Sequence, residues 1–309
     1  WEQTKHLIPL ICKKPLLIGR SNATLNIRHK LNKDLRRFGV NSILEYIQYD
    51  CCEFDLDRLR SIAIKERCDG VIAAGGGKVL DSGKLLSHRL SIPCITIPLS
   101  AATCAGWTAL SNIYSPEGAF LKDQVLNSCP NILIFDYNFV RKAPNRTLAS
   151  GIADALAKWY EASLSSNSSD DGLVQQAVQM ARVLRDQLFI DSLIAFNNPN
   201  SQSWVRVAEG CSLTAGLIGG IGGAQCRTAA AHAIHNGLTQ LKSSRETMHG
   251  EIVGFGILIQ LHLEEIITGN QLARQSIVQL LPFLKSLNLP VNLSSLGLSK
   301  VSRNELHNA

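Results

Sequence analysis

The stretch Gly70-Val-Ile-Ala-Ala-Gly-Gly-Gly-Lys78 decides the fold of the first half of the chain. Its apolar run has the length of a buried strand, and the glycines that follow mark a sharp turn into a helical pattern. Glycines there let backbone N–H groups approach a pyrophosphate, which the dipole of a helix N-terminus also favours. A tight turn without a ligand is the alternative, since neither a Gly-x-Gly-x-x-Gly nor a P-loop motif is present.

Short apolar runs on both sides of this stretch alternate with helical patterns. Alternation of this kind is typical of a parallel, doubly wound sheet. We predict further strands at 16–19, 43–49, 93–97 and 132–135, with helices such as 56–67 and 79–90 between them.

The pattern changes near Pro144, beyond which strand signals vanish and Asn145 is the predicted cap of a first helix. We therefore predict an α/β fold with two domains. Residues 1–144 form an N-terminal Rossmann-like parallel-sheet domain that binds a nucleotide, and residues 145–309 form a C-terminal all-α domain that binds metal. The predicted helices of the second domain are 147–164, 172–188, 204–217, 228–241 and 251–267.

Composition narrows the class of function. Hydrophobic residues make up 45% of the chain and charged residues 18%, which is a globular composition. The net charge of +6 is spread along the chain without a basic block, which argues against nucleic acid and suits an anionic cofactor or substrate. The nine cysteines include no Cys-x-x-Cys pair, so we expect a reduced, cytoplasmic protein. We see no signal peptide, and the most apolar stretch, 211–223, is too short and glycine-rich to span a membrane.

The end of the first predicted strand bears on the choice of cofactor. Gly19 is followed by Arg20-Ser21-Asn22, without the acidic residue that often binds the ribose diol of NAD. An arginine at this place suits a 2′-phosphate and favours NADP(H) over NAD(H). The alternative is that Arg20 faces solvent.

Two histidine-bearing stretches and one aspartate-bearing stretch indicate a metal site. Asp154, His232, His235 and His249 all lie in glycine- and alanine-rich surroundings, which allow helices to approach closely. His232 and His235 are three residues apart and share one helical face. One carboxylate and two separated imidazoles can form an open site for a divalent metal, although any single histidine here is more often structural.

The chain as a whole resembles the iron-containing alcohol dehydrogenase superfamily, in its glycerol dehydrogenase-like branch. The matching stretches occur in family order and cover nearly the whole chain, which makes the resemblance specific. They are Gly75-Gly-Gly-Lys-Val-Leu-Asp-Ser-Gly-Lys84, Ala102-Thr-Cys-Ala-Gly-Trp-Thr-Ala-Leu-Ser111, Lys142-Ala-Pro144, Gly151-Ile-Ala-Asp-Ala-Leu-Ala157, Ala229-Ala-Ala-His-Ala-Ile-His-Asn-Gly237 and His249-Gly-Glu-Ile-Val-Gly-Phe-Gly256.

The resemblance implies the dehydroquinate synthase-like or glycerol dehydrogenase fold, with NADP or NAD and Zn²⁺ or Fe²⁺ as cofactors and a metal in the cleft between the domains. It assigns the metal ligands as Asp154, His232 and His249. His235, one turn from His232, is the candidate for proton relay, with a supporting hydrogen bond or core packing as its alternative. The implied cofactor-binding residues, besides Arg20, are Gly76, Gly77, Lys78, Asp81, Ser100, Thr103, Thr108, Leu110 and Tyr114.

Two departures from the family pattern bear on the substrate. Many four-ligand members carry a histidine four residues after the aspartate, where this chain has Lys158. Glycerol dehydrogenases usually have an aspartate at the place of Cys104, and a thiol cannot accept hydroxyl hydrogen bonds as a carboxylate does. This argues against glycerol and makes an anionic substrate less unfavourable, unless Cys104 is a neutral spacer. We predict that Cys104 and Trp107 contact the substrate.

The predicted function is therefore metal-dependent, NAD(P)-linked interconversion of an alcohol, either a 2-hydroxy acid or a polyol, and its carbonyl. The subgroup with the greatest resemblance is hydroxycarboxylate dehydrogenase, which reduces 2-oxo acids. The alternatives are a glycerol dehydrogenase proper and a degenerate nucleotide-binding protein without turnover. Sugar-phosphate cyclases share the layout but usually need more lysines and arginines for a phosphate. The partner is a small molecule, and a homo-oligomer is one option for the assembly.

Overall fold

The computed structural model describes residues 1–166 and 168–309, and their contacts divide the chain into two compact units. The α/β unit contains Trp1–Ser100 and Ala105–Ala143. The helical unit contains Ala101–Cys104 and Pro144–Ala309. The predicted nucleotide-binding domain included residues 101–104, whereas their contacts group them with the helical unit. A loop joins the unit that it packs against, which need not be the one that it follows in sequence, and the division into domains at residue 144 stays a prediction.

The α/β unit is built on a parallel five-stranded sheet in the order β2-β1-β3-β4-β7. Every residue of β1, β3 and β4 is buried, as expected for central strands covered on both faces. The strands are β1 Pro15–Gly19, β2 Ile43–Tyr46, β3 Gly70–Gly75, β4 Cys94–Pro98 and β7 Ile132–Leu133.

Helices connect β1, β2, β3 and β4 in turn, and two apolar clusters lie on opposite faces of the sheet. Adjacent residues of β1 alternate between them, with Leu16 and Ile18 in one cluster and Leu17 in the other. An antiparallel hairpin, formed by β5 Leu110–Tyr114 and β6 Phe120–Val125, is separate from the parallel sheet. The sequence analysis did not predict it. The helices are α1 Leu25–Arg37, α2 Glu53–Lys65, α3 Gly77–Leu90 and α4 Tyr137–Val140.

The second unit is helical throughout its described elements. The predicted helix 204–217 is interrupted, because a π-helical segment, Gly210–Thr214, separates α7 from α8. The helices are α5 Asn145–Ser165, α6 Gly172–Asn197, α7 Gln202–Glu209, α8 Ala215–Gly222, α9 Ala230–Leu238, α10 His249–Thr268, α11 Gln271–Ser286 and α12 Arg303–Asn308. Within the described residues, none of these helices combines the length and apolar composition that a bilayer crossing requires.

Candidate metal centre and nucleotide-binding turn

Three predicted metal ligands meet inside the helical unit. Asp154 lies on α5, His232 on α9, and His249 is the first residue of α10. Their ligand atoms all lie within 4.8 Å of one another. Oδ1 of Asp154 is 3.5 Å from Nε2 of His232 and 3.3 Å from Nε2 of His249. Two imidazole nitrogens and one carboxylate oxygen form a donor set that suits Zn²⁺ or Fe²⁺.

Glycines allow the three helices to approach closely enough for this meeting. A Cβ atom on Gly250 of α10 would lie 1.8 Å from the carbonyl oxygen of Ser150 on α5. A Cβ atom on Gly256 would lie 2.5 Å from the carbonyl oxygen of Ala231, at the start of α9. Backbone therefore contacts backbone on both sides of α10, and this places His249 beside Asp154 and His232.

The first turn of α10 is held by polar contacts. Arg146 donates to both carboxylate oxygens of Glu251, at 2.6 and 2.7 Å, and Glu251 also accepts from the N–H of Met248 at 2.8 Å. The N–H of Gly250 donates to the hydroxyl of Ser150 at 3.1 Å. These contacts on both sides of His249 restrict its backbone, so its imidazole enters the site from a fixed position.

The carboxylate of Asp154 has the properties expected of a metal ligand. Its Oδ1 is buried and has no hydrogen-bond partner among the described residues, an arrangement that is costly for a charged oxygen. Burial opposes its ionisation, but the Lys158 ammonium and the two neighbouring imidazoles hold the pKa of Asp154 well below its usual range. A buried anionic oxygen between two imidazole nitrogens fits a bound cation, so the residues present are compatible with a divalent metal.

His232 is oriented by Glu161, a residue that the sequence analysis did not identify. Nδ1 of His232 lies 2.5 Å from Oε2 of Glu161. Oε1 of Glu161 accepts from the N–H groups of Ala229 and His232, at 2.7 and 2.9 Å. Burial disfavours both charged forms, but their mutual attraction raises the pKa of His232 and lowers that of Glu161. Glu161 lies seven residues after Asp154, hence on the same face of α5, and this spacing is the signal that was available in the sequence.

His249 is oriented by a second chain of contacts. Nδ1 of His249 lies 2.9 Å from Nε2 of His235, and Nδ1 of His235 lies 2.9 Å from Oδ1 of Asn236. Burial and the neighbouring His249 lower the pKa of His235 well below its ordinary value, so its ring is neutral. Since Asn236 Oδ1 can only accept, His235 carries its proton on Nδ1 and accepts from His249 through Nε2. Nε2 of His249 is then unprotonated and available to a metal.

The glycine-rich turn lies in the α/β unit and is open at the start of α3. Gly76 is the N-cap of α3 with no side-chain cap, and Gly77 and Lys78 are its first two residues. The N–H groups of the first turn therefore lack a capping side chain and can bind an anion. Ser100 lies beside the turn, since a Cβ atom on Gly76 would be 3.8 Å from its hydroxyl oxygen. These features fit the pyrophosphate of a dinucleotide.

Asp50 links two of the predicted cofactor-binding residues. Its carboxylate lies 2.6 Å from Nη1 of Arg20 and 2.6 Å from Nζ of Lys78, while Asp50 itself is buried. The sequence analysis found no acid near Arg20, because Asp50 is thirty residues away along the chain and follows β2 rather than β1. Arg20 is exposed and also forms an ion pair with Asp50, so its role in cofactor binding stays a prediction.

Three other predicted cofactor residues of the α/β unit, Asp81, Thr108 and Leu110, contact the buried Lys84. The amine of Lys84 forms an ion pair with Asp81 at 3.0 Å. It also donates to the carbonyl oxygen of Thr108 at 3.1 Å and to the hydroxyl oxygen of Thr108 at 3.2 Å, and it contacts the carbonyl of Leu110. Asp81 thus supports the start of the hairpin. Tyr114 is the last residue of β5, and its backbone N–H donates to the carbonyl oxygen of Cys51 at 2.8 Å.

The two predicted substrate residues fall in different units. Cys104 belongs to the helical unit together with Thr103, and Trp107 belongs to the α/β unit. The indole N–H of Trp107 is buried and has no partner in the part of the chain that the structure describes. Whether both contact one substrate stays a prediction.

A parallel-sheet unit with an uncapped glycine-rich turn, and a helical unit whose two histidines and one aspartate could hold a metal, are features expected of a metal-dependent, nucleotide-linked oxidoreductase. The comparisons with known proteins agree. Residues 1–137 match the family model of iron-containing alcohol dehydrogenase. An uncharacterised oxidoreductase of Synechocystis is 47% identical over 302 residues, which are 98% of this chain and 78% of the relative.

Two further relatives connect the chain to named activities. Hydroxycarboxylate dehydrogenase A of Escherichia coli is 36% identical over 216 residues, 68% of this chain and 59% of that protein. The solved structure of a probable glycerol dehydrogenase from Sinorhizobium meliloti covers 98% of this chain with a TM-score of 0.84 and 26% identity, and this chain covers 83% of that one. The chain belongs to the iron-containing alcohol dehydrogenase family.

Membership confirms the predicted family, the predicted fold class and the predicted enzyme class, a dehydrogenase acting on an alcohol or its carbonyl. The cofactors of the family are NAD(P) and iron or zinc. Its substrates are small molecules of the alcohol type.

Proposed function

We propose that this protein interconverts an alcohol and its carbonyl with NADP(H), using one divalent metal held by Asp154, His232 and His249. The observation that carries the proposal is the buried Oδ1 of Asp154, which has no hydrogen-bond partner among the described residues and is flanked by two imidazole Nε2 atoms. The bound metal supplies Lewis-acid polarisation of the substrate oxygen, and the nicotinamide supplies or accepts the hydride.

The protein's own residues position these groups. Glu161 and His235 each hold the Nδ1 side of one imidazole, which leaves both Nε2 atoms directed at Asp154. The uncapped start of α3 binds the pyrophosphate, and Arg20 binds the 2′-phosphate of NADP(H). His235 acts through His249 rather than on the substrate, so we assign it the supporting role that was the alternative to proton relay.

The test uses His249→Ala, with His262→Ala as the matched control. His262 lies on the same helix but is exposed and pairs only weakly with Glu265, at 3.7 Å. We expect His249→Ala to lose bound metal, measured by elemental analysis, and to lose carbonyl reduction while still binding NADPH in a fluorescence titration. His262→Ala should keep all three properties. Full turnover by His249→Ala, or by stringently chelated wild type, contradicts the proposed metal centre.

A further inference from the structure

Lys158 is a buried ammonium next to the proposed metal centre. It lies one helical turn after Asp154 on α5, and only 6% of its surface is exposed. Within the described residues its amine forms neither a hydrogen bond nor an ion pair. Buried lysines are almost always paired, because an isolated ammonium loses its hydration without compensation. Asp154 and Glu161 attract this ammonium through space, but no hydrogen bond from its amine is formed among the described residues, so Nζ can still bind an anionic group.

The neighbouring carboxylates are engaged by other groups. Glu161 accepts from the ring of His232 and from two backbone N–H groups, and Asp154 is directed at the imidazoles of the centre. Both still act on Lys158 through space, as does Cys104. Burial disfavours the ammonium, but these charges hold the pKa of Lys158 above its ordinary value. The side chain is therefore a permanent cation at neutral pH.

The charges of the centre do not balance when a metal is bound. Neutral imidazoles, two carboxylates, one ammonium and a divalent cation leave one positive charge in excess. Uncompensated charge in a buried site is unfavourable, and a substrate with one negative charge would remove it. A neutral polyol would supply this charge only after losing a proton to become an alkoxide.

Resting on the proposed function, we propose that Lys158 binds the carboxylate of the substrate and thereby selects 2-oxo acids and 2-hydroxy acids over neutral carbonyls and polyols. Residues four apart on a helix have Cβ atoms about 5–6 Å from each other, so the Lys158 amine and the ligand oxygen of Asp154 point into one region. The carbonyl and the carboxylate of a 2-oxo acid are adjacent and span such a spacing. Reduction takes one hydride from the nicotinamide and one proton, and leaves the carboxylate unchanged.

The kinetic test compares pyruvate with hydroxyacetone, a neutral ketone of similar size, using the metal-loaded enzyme and NADPH. We expect Lys158→Met to lower the ratio of kcat/KM for pyruvate to that for hydroxyacetone at least about 30-fold, chiefly through the KM of pyruvate. Lys158→Arg, which keeps the charge, should recover most of this ratio. The exposed-lysine control Lys285→Met should leave it as in wild type. If Lys158→Met does not fold, the neutral Lys158→Gln carries the same expectation.

A binding measurement separates recognition from turnover. Calorimetry with metal- and NADPH-loaded protein should show that oxamate, an unreactive anionic mimic of a 2-oxo acid, binds wild type much more tightly than Lys158→Met. Neutral ethyl oxamate should not distinguish the two. Equal binding of oxamate to both proteins, or an equal loss for pyruvate and hydroxyacetone, overturns the role of Lys158 and indicates a structural lysine. A wild type that binds no metal contradicts the proposed function instead, and oxamate binding to protein loaded with NADPH alone then decides on Lys158.

Discussion

Nδ1 of His232 lies 2.5 Å from Oε2 of Glu161, and both side chains are buried in the helical unit. This contact fixes the tautomer of His232, because a carboxylate without a proton can only accept. The ring must then carry its proton on Nδ1 and turn the unprotonated Nε2 towards Asp154. Carboxylates that orient metal-binding histidines in this way contribute measurably to metal affinity.

Replacing Glu161 by glutamine should weaken metal binding about 10- to 100-fold. The amide oxygen has to replace Oε1 as acceptor for two backbone N–H groups, so the amide NH₂ then faces Nδ1 of His232. The ring must accept there and place its proton on Nε2, where it blocks coordination. Competition with a chromophoric chelator measures the change.

Gln260→Leu is the control for this prediction. Gln260 also anchors the start of α9, accepting from the N–H of Ala231 at 3.0 Å, but does not contact the ring of His232. Loss of this hydrogen bond in Gln260→Leu should lower the unfolding temperature without changing metal affinity. Equal metal affinity in wild type and Glu161→Gln argues against the orienting role.

Gly250→Ala should separate α10 from α5. The added Cβ would lie 1.8 Å from the carbonyl oxygen of Ser150, and backbone cannot move aside as a flexible side chain can. We expect a loss of about 1–3 kcal/mol in unfolding free energy and weaker metal binding, because His249 moves away from Asp154. Denaturant titration and metal titration measure the two effects.

Gly220→Ala is the matched control on a helix surface. No atom lies within 4 Å of the Cβ position of Gly220, and the residue is exposed. There the same substitution should stabilise the protein by about 0.4–1 kcal/mol, through a less flexible unfolded chain. A stable, fully metallated Gly250→Ala protein is incompatible with the close helix approach.

Substitutions of Arg20 and of Asp50 should shift the preference between NADPH and NADH in opposite directions. Arg20→Gln removes the cation proposed to meet the 2′-phosphate, so kcat/KM with NADPH should fall about 10-fold or more while that with NADH changes little. Asp50→Asn removes the charge that neutralises Arg20 and Lys78, so the preference for NADPH should increase. Arg89→Gln, in an exposed ion pair with Glu53, is the control. A clear NADH preference of the wild type contradicts the NADP(H) assignment.

The ion pair of Asp191 and Arg206 should make stability depend on pH in the acid range. Arg206 donates to both carboxylate oxygens at 2.6 and 2.8 Å, and these hydrogen bonds hold the pKa of Asp191 below its usual value. A lowered folded-state pKa stabilises the protein above the unfolded pKa, and the stabilisation is lost as the pH falls through the folded pKa. Asp191→Asn should therefore lower the unfolding temperature by roughly 2 °C at pH 7, and the difference from wild type should shrink below about pH 4.

Asp186→Asn on the same helix provides the comparison, since Asp186 is exposed beside Arg185. Calorimetric scans between pH 7 and pH 3 should show no such convergence for Asp186→Asn. A difference between Asp191→Asn and wild type that stays constant over this range would show that the ion pair is not its cause.

The parallel sheet, the glycine-rich turn and the helical second half could all be predicted from the sequence, because each depends on local patterns. Apolar runs such as 70–74 form buried strands wherever they are covered, and Gly75-Gly-Gly-Lys78 allows little besides a sharp turn into a helix. The hairpin at Leu110–Tyr114 was not predicted, since it depends on the buried Lys84 that holds its carbonyls.

Residue chemistry and family order also determined which side chains are candidate metal ligands. Only the tertiary structure decided how they are held. Glu161, Asn236 and Asp50 are ordinary polar residues in the sequence, and they acquire meaning from the atoms that folding brings within hydrogen-bonding distance. Lys158 is the clearest case, because a lysine four residues after Asp154 predicts only a missing fourth ligand. Burial without a hydrogen-bonding partner among the described residues makes it a candidate for binding the substrate, since the cost of a desolvated charge arises only when the surrounding helices have packed.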